Sequence, residues 1–169
     1  IMTTISPPHT REPNYIFEQH CAQLKDRYIT NNRLLFVQIP QFHIPTFDRS
    51  IALRRGYHIF PPTGLQYLHE AIKHRDLDVR ILDINYEILR RVSEDEAFHP
   101  QQWTGIFQEI IREFKPAIIG VSCLFDTGLP LLREALKVAR QEDGALILCG
   151  GVAPAYEAAR ILEKDLAHF

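Results

Sequence analysis

Residues 116–154 read as apolar strand, amphipathic helix, apolar strand, and that alternation fixes the class of fold. Ala117-Ile-Ile-Gly-Val-Ser-Cys-Leu124 and Ala145-Leu-Ile-Leu-Cys-Gly-Gly151 are almost wholly apolar, as strands covered on both faces must be. Between them Leu129, Leu132, Ala135, Leu136 and Ala139 recur at helical spacing. A strand, a helix and a second such strand form a parallel pair joined by a right-handed crossover. The two strands end in Ser122-Cys-Leu124 and in Gly150-Gly151. Ligands of open α/β sheets settle at carboxyl ends of strands, where small or hydroxylated residues let them approach the backbone.

The same alternation extends in both directions. Leu34-Leu-Phe-Val37 and Val79-Arg-Ile-Leu-Asp83 are two further strands. Thr63-Gly-Leu-Gln66 has the form of a capping box, opening a helix with Leu65, Leu68, Ala71 and Ile72 on its buried side and an end near Arg75. Trp103, Ile106, Phe107, Ile110, Ile111 and Phe114 mark another helix, stopped by Pro116. The helix after Leu124 is expected to be capped by Asp126 or Thr127. A last helix from Pro154 to Leu166 would turn Ala155, Ala158, Ala159, Leu162 and Leu166 to the sheet. The spacing predicts an α/β, Rossmann-like (flavodoxin-like) parallel sheet with helices on both faces. A chain that stops on a helix points to a missing or truncated fifth strand, and so to a piece of a longer protein. The expected organisation is a tail and peripheral helix over 1–32, then one domain over 33–169. In the first part Ser6-Pro-Pro8 and Pro13 break structure, Met2 reads as the natural start, and Ile16, Phe17, Cys21, Leu24 and Tyr28 form a helix on the outside of the domain.

Composition narrows the partners. The 169 residues carry a formal net charge of −2 and no Lys/Arg run, which argues against nucleic acid or an anionic membrane surface. No stretch has the length and apolarity of a membrane span, and the first residues lack the hydrophobic core of a signal peptide. Scattered Cys21, Cys123 and Cys149 read as free thiols in a reducing, cytoplasmic setting.

Several familiar α/β sites fail on required residues. A dinucleotide turn needs Gly-x-Gly-x-x-Gly, and Phe60-Pro-Pro-Thr-Gly64 has one Gly. Asp83, at the end of its strand, stands where a ribose-binding carboxylate would. A phosphorylated receiver needs acids after the first strand, and Ile39-Pro-Gln-Phe42 has none. Walker loops, Gly-x-Ser-x-Gly elbows and helical His pairs are also missing. The connection from Gln41 to Pro62 is long and rich in rings, with Phe42, His43, Phe47, Tyr57 and His58, and such loops serve a ligand or a neighbouring domain.

Ser122-Cys123-Leu124 with Gly150-Gly151 resembles the Ser-x-Leu and Gly-Gly motifs of cobalamin-binding domains. Pro61-Pro-Thr-Gly-Leu65, Leu82-Asp83, Lys115-Pro-Ala-Ile-Ile-Gly-Val-Ser122 and Cys149-Gly-Gly-Val-Ala-Pro154 together resemble a narrower branch, the amino-terminal domain of cobalamin-dependent radical S-adenosylmethionine enzymes. The resemblance spans roughly residues 33 to 169. It implies that Ser122 meets the displaced dimethylbenzimidazole base, that Leu124 borders the corrin, and that Gly150 and Gly151 leave room for the nucleotide tail, where any Cβ would collide. Pro62, Gly64, Phe125 and Val152 are expected beside them, with Phe42, Tyr57 and Phe60 padding the corrin. The Asp-x-His-x-x-Gly motif that supplies a lower axial ligand in relatives is broken, since alignment on Gly64 puts Ile59 and Pro61 at the Asp and His positions.

The resemblance therefore implies methylcobalamin or another corrinoid held base-off, without an axial histidine of the protein. Methyl transfer or related radical chemistry would belong to a downstream barrel with S-adenosylmethionine and a [4Fe-4S] cluster. The chain itself has no Cys-x-x-x-Cys-x-x-Cys motif and is expected to be non-catalytic alone, with neither a catalytic residue nor a metal ligand of its own. On the residues alone two other readings stand: a degenerate Rossmann-like docking module, and a nucleotide-binding enzyme fragment. In the blander reading Ser122 is a small residue under a helix, the Gly pair a tight turn, Asp83 and Asn85 strand-end caps, and Cys123 and Cys149 packing.

Overall fold

The computed structural model describes residues 12–142 and 144–169, so the tail with Ser6-Pro-Pro8 and the start at Met2 lie outside it. Four parallel strands make one sheet: β1 (Arg33–Gln38), β2 (Asp78–Asp83), β3 (Ile118–Ser122) and β4 (Leu146–Gly150), in the order β2-β1-β3-β4. The helices are α1 (Glu12–Tyr28), α2 (Arg49–Leu53), α3 (Thr63–Ile72), α4 (Ile84–Glu94), α5 (Trp103–Phe114), α6 (Leu129–Gln141) and α7 (Val152–Glu163). The chain leaves β1 toward one edge of the sheet and leaves β3 toward the other. That reversal makes a crevice between the carboxyl ends of β1 and β3.

Strand parity decides which face each side chain serves. Leu35, Val37, Ile39, Ile119, Val121 and Ile147 enter the main core, packed by Ile88 of α4, Phe107 of α5, Leu136 of α6 and Ile161 of α7. Leu34 and Phe36 turn the other way, toward Leu65 of α3, with Ile118 beside them. Among the described residues, one helix, α3, joins that second cluster, so the cover on the two faces is uneven.

Several expectations are corrected. The region after β2 holds α4, unforeseen because its stripe is only Ile84, Ile88 and Val92, narrow and flanked by charge. Asp83 is its N-cap, accepting from the Asn85 and Tyr86 amides at 3.0 and 3.5 Å, so that carboxylate is engaged by its own helix. The ring-rich connection contains a 3₁₀ turn at Ile44–Thr46 and α2, whose cap Asp48 accepts from Ser50 and Ile51. The expected caps at Thr63, Asp126 and Thr127 do not form. Pro62 precedes α3, Gly128 precedes α6, and neither end has a side-chain cap. On α3 Leu65 is buried but Leu68 is 52% exposed.

The buried side of α7 is Ala153, Pro154 and Ile161 rather than Ala155, Ala158, Ala159 and Leu162. The helix begins earlier than expected, and the Glu157 bond to Arg133 of α6 at 2.9 Å fixes the rotated face. Beyond α7 the backbone returns along β4: the His168 N–H donates to Ile147 O, and the Cys149 N–H to Phe169 O, both at 2.8 Å. Among the described residues the sheet keeps four strands.

Candidate functional site

The carboxyl edge is built from one register row. Gln38 of β1 pairs with Ser122 of β3, and Ser122 with Gly150 of β4. Parity puts all three on the α3 face, since Leu34 and Phe36 precede Gln38 there and a Cβ on Gly120 would meet Phe36 at 3.0 Å. The row shrinks from carboxamide to hydroxyl to hydrogen. Beside Gln38 and Ser122 of this row lies a cavity of about 250 Å³, walled by those two and by Phe60, Pro61, Thr63, Gly64, Leu65, Leu124 and Phe125. No charged side chain lines it, and the Ser122 hydroxyl has no hydrogen-bond partner among the described residues.

Two glutamines given no role in the sequence and Asn85, read there as a strand-end cap, hold this edge. Gln38, 4% exposed, donates from Nε2 to Phe60 O at 2.7 Å. Gln41 accepts from the Phe60 amide at 2.8 Å. Asn85, fully buried, accepts from the Gln41 amide at 2.6 Å and donates to Ile39 O at 3.2 Å and Asp83 Oδ1 at 2.9 Å. Buried side-chain amides of this kind are kept only where their partners are supplied. Their signal in the sequence is weak: polar residues at strand ends, easily read as the start of a loop.

The expected rings divide into two groups. Phe42, Phe47 and Tyr57 pack on one another with centroids 4.7 to 5.4 Å apart, and the Tyr57 hydroxyl accepts from the Asp48 amide at 2.7 Å. They brace the connection internally. Phe60 and Phe125, 61% and 46% exposed, meet at 5.9 Å and form the rim. Leu124, which walls the same cavity, extends this exposed apolar rim, and Val152 is exposed at the start of α7.

The two expected glycines differ. The space a Cβ at Gly150 would enter is empty to 4 Å, whereas one at Gly151 would lie 2.3 Å from Cys123 O. The expected collision at Gly151 is therefore with the chain's own backbone, while at Gly150 open room remains. Gly150, Gly151 and Val152 lie at the end of β4, outside the walls of the described cavities. Pro62 is flanked by two residues of the smaller wall, Pro61 and Thr63.

A second, larger cavity of about 660 Å³ lies on the other side of the same crevice, reaching Ile39, Phe42, Trp103, Cys123 and Leu131. It shares Gln38, Ser122, Leu124 and Phe125 with the smaller one. Burial pushes the Cys123 thiol up to about 11, and its Sγ donates to Phe125 O at 3.3 Å. This cysteine is packing material, not a nucleophile. Among the described residues no three His, Cys, Asp or Glu side chains gather as a metal site, and no helix is long and apolar enough to cross a membrane.

The site is thus that of a doubly wound ligand-binding domain, with an apolar rim, one free hydroxyl and a strand end vacated beside it. A family model described as the B12 binding domain matches residues 49–169. The chain belongs to the B12-binding domain family. Searches of the curated proteins and of the solved structures gave no match. The family match begins within the connection after β1, although β1 is an inner strand of the sheet.

The edge fits a corrinoid on its own chemistry. That ligand is large, with an apolar ring framework and peripheral amides. The rim supplies aromatic and aliphatic surface, Ser122 a hydroxyl, and Gly150 clearance, without a buried charge that would need neutralising.

Proposed function

We propose that this chain is the cobalamin-binding domain of a cobalamin-dependent radical S-adenosylmethionine enzyme, folding over residues 33–169 behind a peripheral helix. When bound, the corrinoid supplies a transferable methyl group. The chain's own residues orient it: Phe60, Leu124, Phe125 and Val152 shield the ring system, Ser122 meets the displaced base, and Gly150 leaves the tail its path. Pro62 and Gly64 shape the turn beneath, and Gly151 lets β4 turn tightly into α7. The observation that carries this reading is the Gln38–Ser122–Gly150 row, with its unpartnered hydroxyl beside open space.

Pro61 stands at the motif position of the axial histidine and forms part of the smaller wall, which supports a base-off corrinoid with no protein imidazole from that position. The methyl transfer or related radical step, with S-adenosylmethionine and a [4Fe-4S] cluster, is assigned to a downstream barrel in the same polypeptide. The free thiols support a cytoplasmic setting.

The test is retention of hydroxocobalamin through gel filtration, read by corrin absorbance. The wild-type chain should keep its colour, and Gly150→Val should lose it while melting like the wild type. A colourless wild-type chain, or a Gly150→Val variant that retains corrin undiminished, would overturn the reading.

A further inference from the structure

The side-chain amides that hold the carboxyl edge are not equally used. Asn85 both accepts and donates. Gln41 does both toward a single residue, its Oε1 accepting from the Phe60 N–H at 2.8 Å and its Nε2 donating to Phe60 O at 3.3 Å. Gln38 uses one half of its amide. Its Nε2 donates to Phe60 O at 2.7 Å, and its Oε1 has no donor among the described residues. That orientation is fixed, since a flipped amide would press two carbonyl oxygens together at the same distance.

An acceptor left over on a residue 4% exposed is costly unless something reaches it. Among the described residues the one fully enclosed side-chain polar atom without a partner is Arg91 Nε, so Gln38 Oε1 is not sealed in the core. The open space that Gln38 borders is the crevice, where it walls both cavities next in register to Ser122. Along the row β1 thus offers an acceptor alone, β3 a hydroxyl that donates or accepts, and β4 a hydrogen atom. No charged side chain lines the smaller cavity, so an anion brought there would be desolvated without compensation. A neutral N–H donor suits both the oxygen and its surroundings.

We propose that Gln38 makes this cleft selective for the amidated form of its corrinoid, its Oε1 accepting from the N–H of a peripheral propionamide. This rests on the cobalamin reading and deepens it. With the base at Ser122 and the tail at Gly150, the cleft takes the face of the corrin from which the tail hangs, and the propionamides project from that same face. Hydrolysis of one propionamide to a carboxylate removes the donor and sets a negative charge against the glutamine oxygen. Sites built around a hydrogen bond reject such a mismatch strongly.

The test compares hydroxocobalamin with its monocarboxylate isomers, each carrying one hydrolysed propionamide, by absorbance titration of the chain at neutral pH. One isomer should bind about tenfold or more weaker than hydroxocobalamin. Gln38→Met keeps the side chain's length without its acceptor and should narrow that margin at least about threefold. Gln41→Met cuts the other tie to Phe60 and should weaken both ligands alike, leaving the margin as it is. If Gln38→Met fails to fold, Gln38→Lys carries the comparison: a charged donor in place of the acceptor should invert the preference. No isomer weaker by that margin, a preference unchanged in the Gln38 variant, or the same narrowing in Gln41→Met would overturn the proposal. A chain that retains no hydroxocobalamin fails the cobalamin reading and this proposal with it, whereas one that binds hydroxocobalamin and every isomer equally fails this proposal alone.

Discussion

Adjacent glycines at the end of β4 should respond oppositely to one added methyl group. Gly151 has φ 114° and ψ −178°, a region essentially reserved for glycine, and forcing alanine into it costs of order 1–3 kcal/mol. The added Cβ would also stand 2.3 Å from Cys123 O and 2.9 Å from Cys123 C, backbone atoms locked into the sheet because the Cys123 N–H donates to Gly150 O at 3.0 Å. Strain and overlap together put Gly151→Ala at about 3 kcal/mol of lost stability or more. Gly150 meets nothing within 4 Å, so Gly150→Ala should stay within about 0.5 kcal/mol of the wild type. Urea unfolding separates them: with a slope of about 2 kcal/mol per molar, Gly151→Ala moves the midpoint down by about 1.5 M, and Gly150→Ala hardly at all. Equal midpoints, or a larger fall for Gly150→Ala, would refute the assignment of Gly151 to backbone packing and of Gly150 to an open slot.

Other substitutions test the remaining parts. Asn85→Ala strands the Gln41 N–H and the Ile39 carbonyl in the core and should lower stability by about 2–3 kcal/mol in the same urea assay. Ser122→Ala removes a hydroxyl with no partner among the described residues, so the melting curve should not move, while corrin affinity falls about three- to tenfold for one lost hydrogen bond. His168 titrates below its ordinary value of 6.5, first because it is desolvated and then because Arg140 faces it. The unfolded chain therefore binds the proton more readily, and this contribution to stability, complete above about pH 6.5, is lost as pH falls below it. His168→Gln should flatten that part of the stability–pH curve. A thiol reagent at neutral pH should leave Cys123 untouched in the folded chain and modify it only on unfolding, as burial and its raised pKa require.

The strands were legible because doubly covered parallel strands need unbroken apolar runs, and Leu34–Val37 or Ala145–Cys149 satisfy no other pattern so well. Helices were legible where the buried stripe is wide, as on α5 and α6. They were lost or misrotated where a tertiary contact decides the face: α4 is held by three aliphatic residues and an Asp83 cap, and α7 is turned by its start at Val152 and by the Arg133–Glu157 bond. At the site, Ser122 and the Gly pair were legible as small residues at strand ends. What Gly151 avoids was not legible, because Cys123 O comes from another strand. Nor were the bonds of Gln38 and Gln41 to Phe60 and of Asn85 to Ile39 and Gln41, whose partners lie 19 to 46 positions away.

Parity also settles what a motif string leaves open. Ser122 and Cys123 are neighbours in sequence, yet one closes the register row on the α3 face and the other belongs to the core facing α6. Substitutions at Gly64 or Leu65 should therefore alter the smaller cavity alone and those at Leu131 the larger alone. Gln38, Ser122, Leu124 and Phe125, which wall both, sit where the two faces meet. Phe125→Ala should weaken corrin retention while leaving the core intact, since Phe125 is 46% exposed; undiminished retention would place the corrin away from this rim.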